Sequence, residues 1–140
     1  MAFCDVKNPP EFTTEIRKWN RETLADGQEM ALEIEQLFNN SFFNKAQIER
    51  LQSKKQVVLT VSGWNGEGPF TQTVAVPGIS AADEPELGKT LIGVEAIEEI
   101  KAYNKAFGFI YCGETKDGEI TFKAYKKPSI DFTVVLKGVN

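Results

Sequence analysis

The side chains best suited to chemistry in this 140-residue chain are carboxylates. Asp83, Glu84 and Glu86 cluster, Glu98 and Glu99 are adjacent, and paired carboxylates can divide general acid from general base work. Both groups read as lying in a loop or on a helix face, where charge is ordinarily solvated. Histidine is absent, which removes Ser-His-Asp and Cys-His catalysis together with the commonest zinc ligand. Cys4 and Cys112 stand near opposite ends in different contexts, so reduced thiols are expected rather than a metal cluster or disulfide framework. The run Gly63-Trp64-Asn65-Gly66-Glu67-Gly68 lacks the following helix and Lys-Ser/Thr pair of a phosphate loop, and reads as a hairpin loop. No catalytic residue, metal ligand or cofactor site is assigned, and the chain is not expected to be an enzyme. One segment offers non-covalent chemistry: Trp64 and Phe70, with Asn65 beside them, would make the aromatic and polar platform that a glycan site needs. The competing reading is that Trp64 covers the end of a core, the commoner role of a lone tryptophan at a strand end.

Composition narrows the partners. The chain carries 16 basic and 20 acidic residues for a net charge of −4, and no basic stripe is present to meet a phosphate backbone, so nucleic acid is not an expected ligand. No stretch approaches the ~18 apolar residues of a membrane span. The opening MAFCDVKNPPEF has no apolar run before a small-residue cleavage site, so no signal peptide is expected.

The elements that must position these residues change character at Lys54-Lys55. Residues 1–25 read as an extended arm, with Pro9-Pro10 opposing early helix. The stretch Thr13 to Trp19 is left unassigned between strand and helix. Asp26-Gly27-Gln28-Glu29 has the form of a capping box and starts a helical stem over residues 26–53. Asn39-Asn40-Ser41 leaves two outcomes open: a helix end followed by a second helix, or one long helix passing through.

Within that stem Met30, Ile34, Leu37, Ser41, Asn44, Ile48 and Leu51 follow in alternating steps of four and three, the seam spacing of a coiled coil. Ser41 and Asn44 place polar groups at its centre, where they can fix register and oligomer number. The alternative is that Phe38, Phe42 and Phe43 pack this segment against its own chain.

Residues 54–140 read as a compact, mainly antiparallel β head with one helix, about five or six strands in all, so the fold class is α+β. Gln56 to Ser62 and Phe70 to Val76 alternate and are expected to pair as a hairpin across the glycine-rich loop. Ile79 to Glu86 reads as loop and Leu91 to Val94 as a short strand. A helix then puts Ile97, Ile100, Tyr103 and Phe107 on one face and ends at Gly108. Phe109 to Cys112 and Ile120 to Tyr125 flank Lys116-Asp117-Gly118, a strong hairpin signal, and Ile130 to Leu136 forms the last strand.

Two sets of residues carry a resemblance. Trp19, Thr23-Leu24-Ala25-Asp26-Gly27, Glu29-Met30 and Leu37-Phe38-Asn39-Asn40 resemble the N-terminal attachment segment of small tail and fibre proteins from phages and prophages of Gram-positive bacteria. Val57 to Trp64, Phe70-Thr71-Gln72-Thr73-Val74 and Lys127-Pro128-Ser129-Ile130-Asp131 are similar to a β-rich module of those proteins. The resemblance implies a structural protein located in the virion: a homotrimer, attached to other virion proteins through the arm at Phe12, Ile16, Trp19 and Leu24. Many such fibres continue into a receptor-binding tip, whereas this sequence stops at Asn140. That favours a short fibre or an accessory of baseplate, neck or head surface, with a host-surface glycan as the alternative partner.

Overall fold

The structure, a computed structural model, describes residues 4–18, 27–91, 93 and 96–139. The chain forms two compact units, Met1–Glu49 and Arg50–Asn140. Its class is α+β: a long helix is followed by two small antiparallel three-stranded sheets and one short helix.

Helix α1 runs unbroken from Gly27 to Gln52, so Asn39-Asn40-Ser41 does not divide it. Ending a helix at asparagine ordinarily needs a left-handed residue, and no described non-glycine residue has positive φ. The two asparagine side chains are engaged elsewhere, as set out below. The helix stops where Ser53 turns back on Arg50, its amide (3.1 Å) and hydroxyl (2.7 Å) both donating to the Arg50 carbonyl. Asp26 of the expected capping box lies outside the described residues, and Glu29 pairs with Arg17.

Strand β1 (Lys54–Leu59) begins two residues after the helix ends, at the expected change of rhythm. Its partner is not the next strand. β1 pairs with β6 (Phe132–Lys137), which in turn pairs with β3 (Glu86–Lys89), while β2 (Phe70–Ala75), β5 (Glu119–Ala124) and β4 (Ile110–Lys116) make the second sheet. The expected β1–β2 hairpin fails because a 3-10 turn, Val61–Gly63, redirects the chain after β1. Thr60 caps that turn by accepting from the Gly63 amide at 3.2 Å, and the Asp131 carboxylate accepts from the Val61 amide at 2.6 Å. Only Asn65 and Thr71 pair across the glycine-rich loop, exchanging two backbone bonds of 2.9 Å.

β3 forms where a loop was expected to reach Glu86, and Leu91 is not in a strand; Ile92 and Val94 lie outside the described residues. Four residues interrupted by Gly88 carry no alternation to read. Gly88 is nonetheless required there, since a Cβ would come within 2.8 Å of Val135 Cγ1 on the paired strand.

The Asp117-Gly118 hairpin joins β4 to β5 as expected, with Gly118 at φ +82°. The turn also anchors the loop after β2: Gly118 N donates to the Ile79 carbonyl (2.9 Å) and Val76 N to the Gly118 carbonyl (2.8 Å).

Alternation on both sheets feeds one core. Val57 and Leu59 of β1, Phe132, Val134 and Leu136 of β6, and Ile120, Phe122 and Ala124 of β5 are all buried in it. Each large aliphatic or phenyl group so buried contributes roughly 1.5–3 kcal/mol. Helix α2 (Ile97–Phe107) adds Tyr103, whose ring meets Phe132 edge-on at 5.8 Å and stacks on Phe107 at 6.3 Å. The Tyr103 hydroxyl accepts from Thr90 N (2.9 Å) and donates to the Thr133 carbonyl (2.8 Å), so the burial leaves no polar group unpaired. Ile97, expected on the same face, is exposed.

Candidate functional site

The functional geometry of the N-terminal unit is built on Asn39 and Asn40. Asn40 Oδ1 accepts from Thr13 N at 2.7 Å while its Nδ2 donates to the Thr13 carbonyl at 2.8 Å. Asn39 Oδ1 accepts from Lys7 N (2.9 Å), and its Nδ2 donates to the carbonyls of Asp5 (3.1 Å) and Glu35 (2.9 Å). A side-chain amide carries a carbonyl acceptor and an NH2 donor group in one plane, so it can pair with a peptide group as another peptide does, and its second N–H can make a further bond. The arm, which lacks a sheet, is thereby bonded to the helix as a strand would be to a neighbour. Asp5 N donates to Glu35 at 3.0 Å, and the Phe12 ring lies 5.7 Å from Phe43.

At 3.6 residues per turn, Glu35, Asn39 and Phe43 lie on the side of α1 away from the heptad seam, whereas Asn40 borders the seam beside Leu37 and Asn44 and Glu29 lies between the two sides. The seam faces solvent: Ile34 is 57% exposed, Leu37 53%, Ile48 54% and Leu51 71%. Met30, Ser41 and Asn44 are exposed with them. The Ser41 hydroxyl donates to the Leu37 carbonyl at 3.0 Å, so it is satisfied within the helix. Phe43 packs on the arm, as the same-chain alternative expected, but Phe38 and Phe42 are exposed.

Of the arm residues assigned to attachment, Phe12 and Ile16 are exposed, Phe12 with its ring against Phe43. Trp19 and Leu24 lie outside the described residues.

In the head the structure corrects the expected ligand platform. Trp64 is 3% exposed and belongs to the core, so its ring cannot receive a ligand from solvent. The cause is the 3-10 turn: it swings Trp64 inward, where Trp64 and Gln72 flank the Asn65–Thr71 bridge on the buried side. Phe70 is half-buried against the same core, and the Asn65 side chain donates to the Gly63 carbonyl at 3.0 Å. The platform's three residues are neighbours, but they serve packing and turn closure. Trp64 Nε1 and Gln72 Oε1 have no hydrogen-bond partner, and Gln72 Nε2 reaches Thr60 Oγ1 at 3.4 Å.

The carboxylates do not assemble into an acid-base pair. Buried Asp83 accepts from the Arg50 guanidinium and from Ser80 N (2.9 Å). With Glu84 and Glu114 it lines a cleft of about 610 Å³, and Glu114 is bound by Lys123, whose ammonium pKa this hydrogen bond raises above 10.5. A second cleft of about 580 Å³ lies beside Tyr103, Phe132 and Ile130, and its Asp131 is engaged by the Val61 amide. Glu98 pairs with Lys101 at 2.9 Å on the helix surface.

Sequence reasoning missed Asn39 and Asn40 as an arm clamp, and it missed the exposed Tyr111 and Tyr125 of the head. Adjacent asparagines in the middle of a helix were the one local signal, since asparagine there is neutral to unfavourable unless its side chain has a specific partner. Neither a family model, nor a curated protein, nor a solved structure matches the chain.

Proposed function

We propose that the chain is a structural protein of a virion, a short fibre or accessory of tail, baseplate, neck or head surface. In this reading it attaches through its N-terminal arm, self-associates through α1 and carries the β-rich head. The observation that carries the reading is the uncovered heptad seam. Asn39 and Asn40 of α1 are bonded to the chain's own arm, while Met30, Ile34, Leu37, Ile48 and Leu51 stay exposed along the seam.

An isolated helix with such a stripe leaves apolar area in water that parallel copies would bury by knobs-into-holes packing. Closed symmetry of three copies makes each seam meet its equivalents and leaves no open surface to polymerise. The polar pair Ser41 and Asn44 then sets the register, Ser41 at little desolvation cost because its hydroxyl is already bonded within the helix. The resemblance of residues 12 to 138 to phage fibre segments supports the same reading. Phe12, Ile16, Trp19 and Leu24 are the proposed contacts to other virion proteins.

Light scattering on the purified chain tests it. The expected mass is three times the 15.6 kDa protomer. A 15.6 kDa species at micromolar concentration would sink self-association through α1.

A further inference from the structure

The cleft beside Tyr103 is walled by three parts of the head. Helix α2 puts Glu99, Ala102 and Tyr103 on one side of it, since residues three and four apart share a helix face. Strand β6 brings Phe132 and Thr133, and the residues leading into that strand bring Ile130 and Asp131. The Tyr103 hydroxyl donates to the Thr133 carbonyl at 2.8 Å and accepts from Thr90 N at 2.9 Å, so helix and sheet are tied together where the cleft opens. Its volume of about 580 Å³ lies within the range of small-molecule sites, roughly 300–1,000 Å³.

Charge decides the class of ligand. Among the described residues two carboxylates and no lysine or arginine line the cleft. Asp131 accepts from the Val61 amide at 2.6 Å through Oδ1, which orients the group and leaves Oδ2 for a ligand. Glu99 is exposed and makes no hydrogen bond or ion pair among the described residues. The neighbouring lysines are turned to other partners. Lys55 donates to the Pro77 carbonyl, Lys89 donates to Asn104 Oδ1 at 2.9 Å and lies over the Phe107 ring, and Lys101 pairs with Glu98. An anion entering the cleft would meet repulsion, and a cation would meet attraction.

The remaining wall decides the ligand's body. Ala102 and Ile130 are half-buried, and with the rims of Tyr103 and Phe132 they present an apolar surface. A bare metal ion would leave that surface unused, and no group of three metal-binding side chains occurs among the described residues. Gln56 and Thr133 add neutral acceptors beside the two carboxylates. The walls therefore match an aliphatic chain that carries a cationic group with several N–H donors.

We propose that this cleft binds a small aliphatic cation, an ammonium or guanidinium on a hydrocarbon chain, with Glu99 and Asp131 holding the charge and Ala102 and Ile130 covering the chain. A free amine carries this chemistry, and so does the side chain of a lysine or arginine. The site is separate from self-association through α1, and a monomeric chain would retain it.

The test titrates the isotope-labelled full chain while backbone amide shifts are followed. The cationic probes are agmatine and cadaverine, as free amines, and Nα-acetylarginine amide and Nα-acetyllysine amide, as capped residues. Pentanediol and Nα-acetylcitrulline amide are their neutral counterparts. Shift changes at Ala102, Tyr103, Ile130 and Thr133 are expected with the cations and not with the neutral compounds. Binding of the free amines alone identifies a diffusible ligand, and binding of the capped residues identifies a side chain of another protein. Glu99→Gln and Asp131→Asn are each expected to weaken binding about tenfold, the loss of one charge-assisted bond, and added salt weakens it further. Glu99 is exposed, and asparagine at 131 keeps an oxygen for the Val61 amide, so an unshifted unfolding temperature is expected for both variants. Absence of shift changes with every cation overturns the proposal. Equal binding of the neutral compounds, shifts centred outside the cleft, or affinity that survives both substitutions would do the same.

Discussion

Asn40 and Thr13 hold each other by two hydrogen bonds, Thr13 N to Asn40 Oδ1 at 2.7 Å and Asn40 Nδ2 to the Thr13 carbonyl at 2.8 Å. A helix side chain here takes the place of a neighbouring strand and gives an extended segment an ordered seat without a sheet. Because Asn39 repeats the arrangement at Lys7 and Asp5, the arm is fixed on both sides of Pro9-Pro10.

Asn40→Ala separates the arm's attachment from the helix's own stability. Each bond contributes about 1 kcal/mol net, so amide exchange at Thr13 is expected to rise by about tenfold. Alanine is the better helix former by roughly 0.6 kcal/mol, so circular dichroism should show helicity equal to or above the parent's. Parallel loss of helicity would mean that the arm and α1 form as one unit.

Ile34→Asp combined with Ile48→Asp puts charge at two seam positions that are exposed in the single chain. If α1 self-associates, the mass falls to that of one chain while the unfolding of the head is unchanged. A variant that keeps the parent's oligomeric mass would place the association elsewhere.

Gly63→Ala tests why the loop reads as it does. An added Cβ would lie 2.2 Å from Gln72 Nε2, and Gln72 is buried, so its amide has little room to withdraw. The expected cost is about 1–3 kcal/mol, as for overpacking elsewhere, read as a lowered unfolding temperature. In a Gln72→Ala background the same substitution should cost much less. An additive double-mutant cycle would show that the two residues do not oppose each other.

Asp83→Ala removes the carboxylate that joins Arg50 to the Ser80 turn. Arg50 keeps some access to water, so the loss is expected at about 2 kcal/mol, below the 3–5 of a fully buried pair. Chemical denaturation would report it as a lowered midpoint at unchanged slope.

The Lys123–Glu114 pair makes a pH prediction of definite sign. Glu114 raises the Lys123 pKa above 10.5 in the folded chain. The part of the stability linked to the Lys123 ammonium is therefore fully present at neutral pH and is lost as pH rises through the folded value. Nitrogen-detected titration of the Lys123 ammonium should give a midpoint above 10.5, and Glu114→Gln should return it toward that value. A midpoint indifferent to Glu114→Gln would remove the pair as the cause.

Where a feature rests on neighbours in sequence, it was legible. The change of period at Lys54 places the end of α1 at Gln52 and the start of β1 at Lys54, and Asp117-Gly118 closes the expected hairpin at Gly118's positive φ. Trp64 was legible only as a choice between stacking and packing, because its direction depends on the 3-10 turn held from Asp131, 70 residues away. The short β3 had no alternation of its own, since four residues with a glycine among them become a strand only beside Val134 to Lys137.

Sequence alone determined the α+β class, a helical stem with its seam spacing and the Asp117-Gly118 turn, because helical periodicity, strand alternation and turn chemistry act over a few residues. The tertiary structure decided which strands pair, that Trp64 is buried, that the stem is one helix rather than two, and that the mid-helix asparagines grip the arm. Each of these depends on contacts between segments far apart in the chain. Strand order in particular is set by which buried faces fit together in one core, so β1 lies beside β6 rather than beside the strand that follows it.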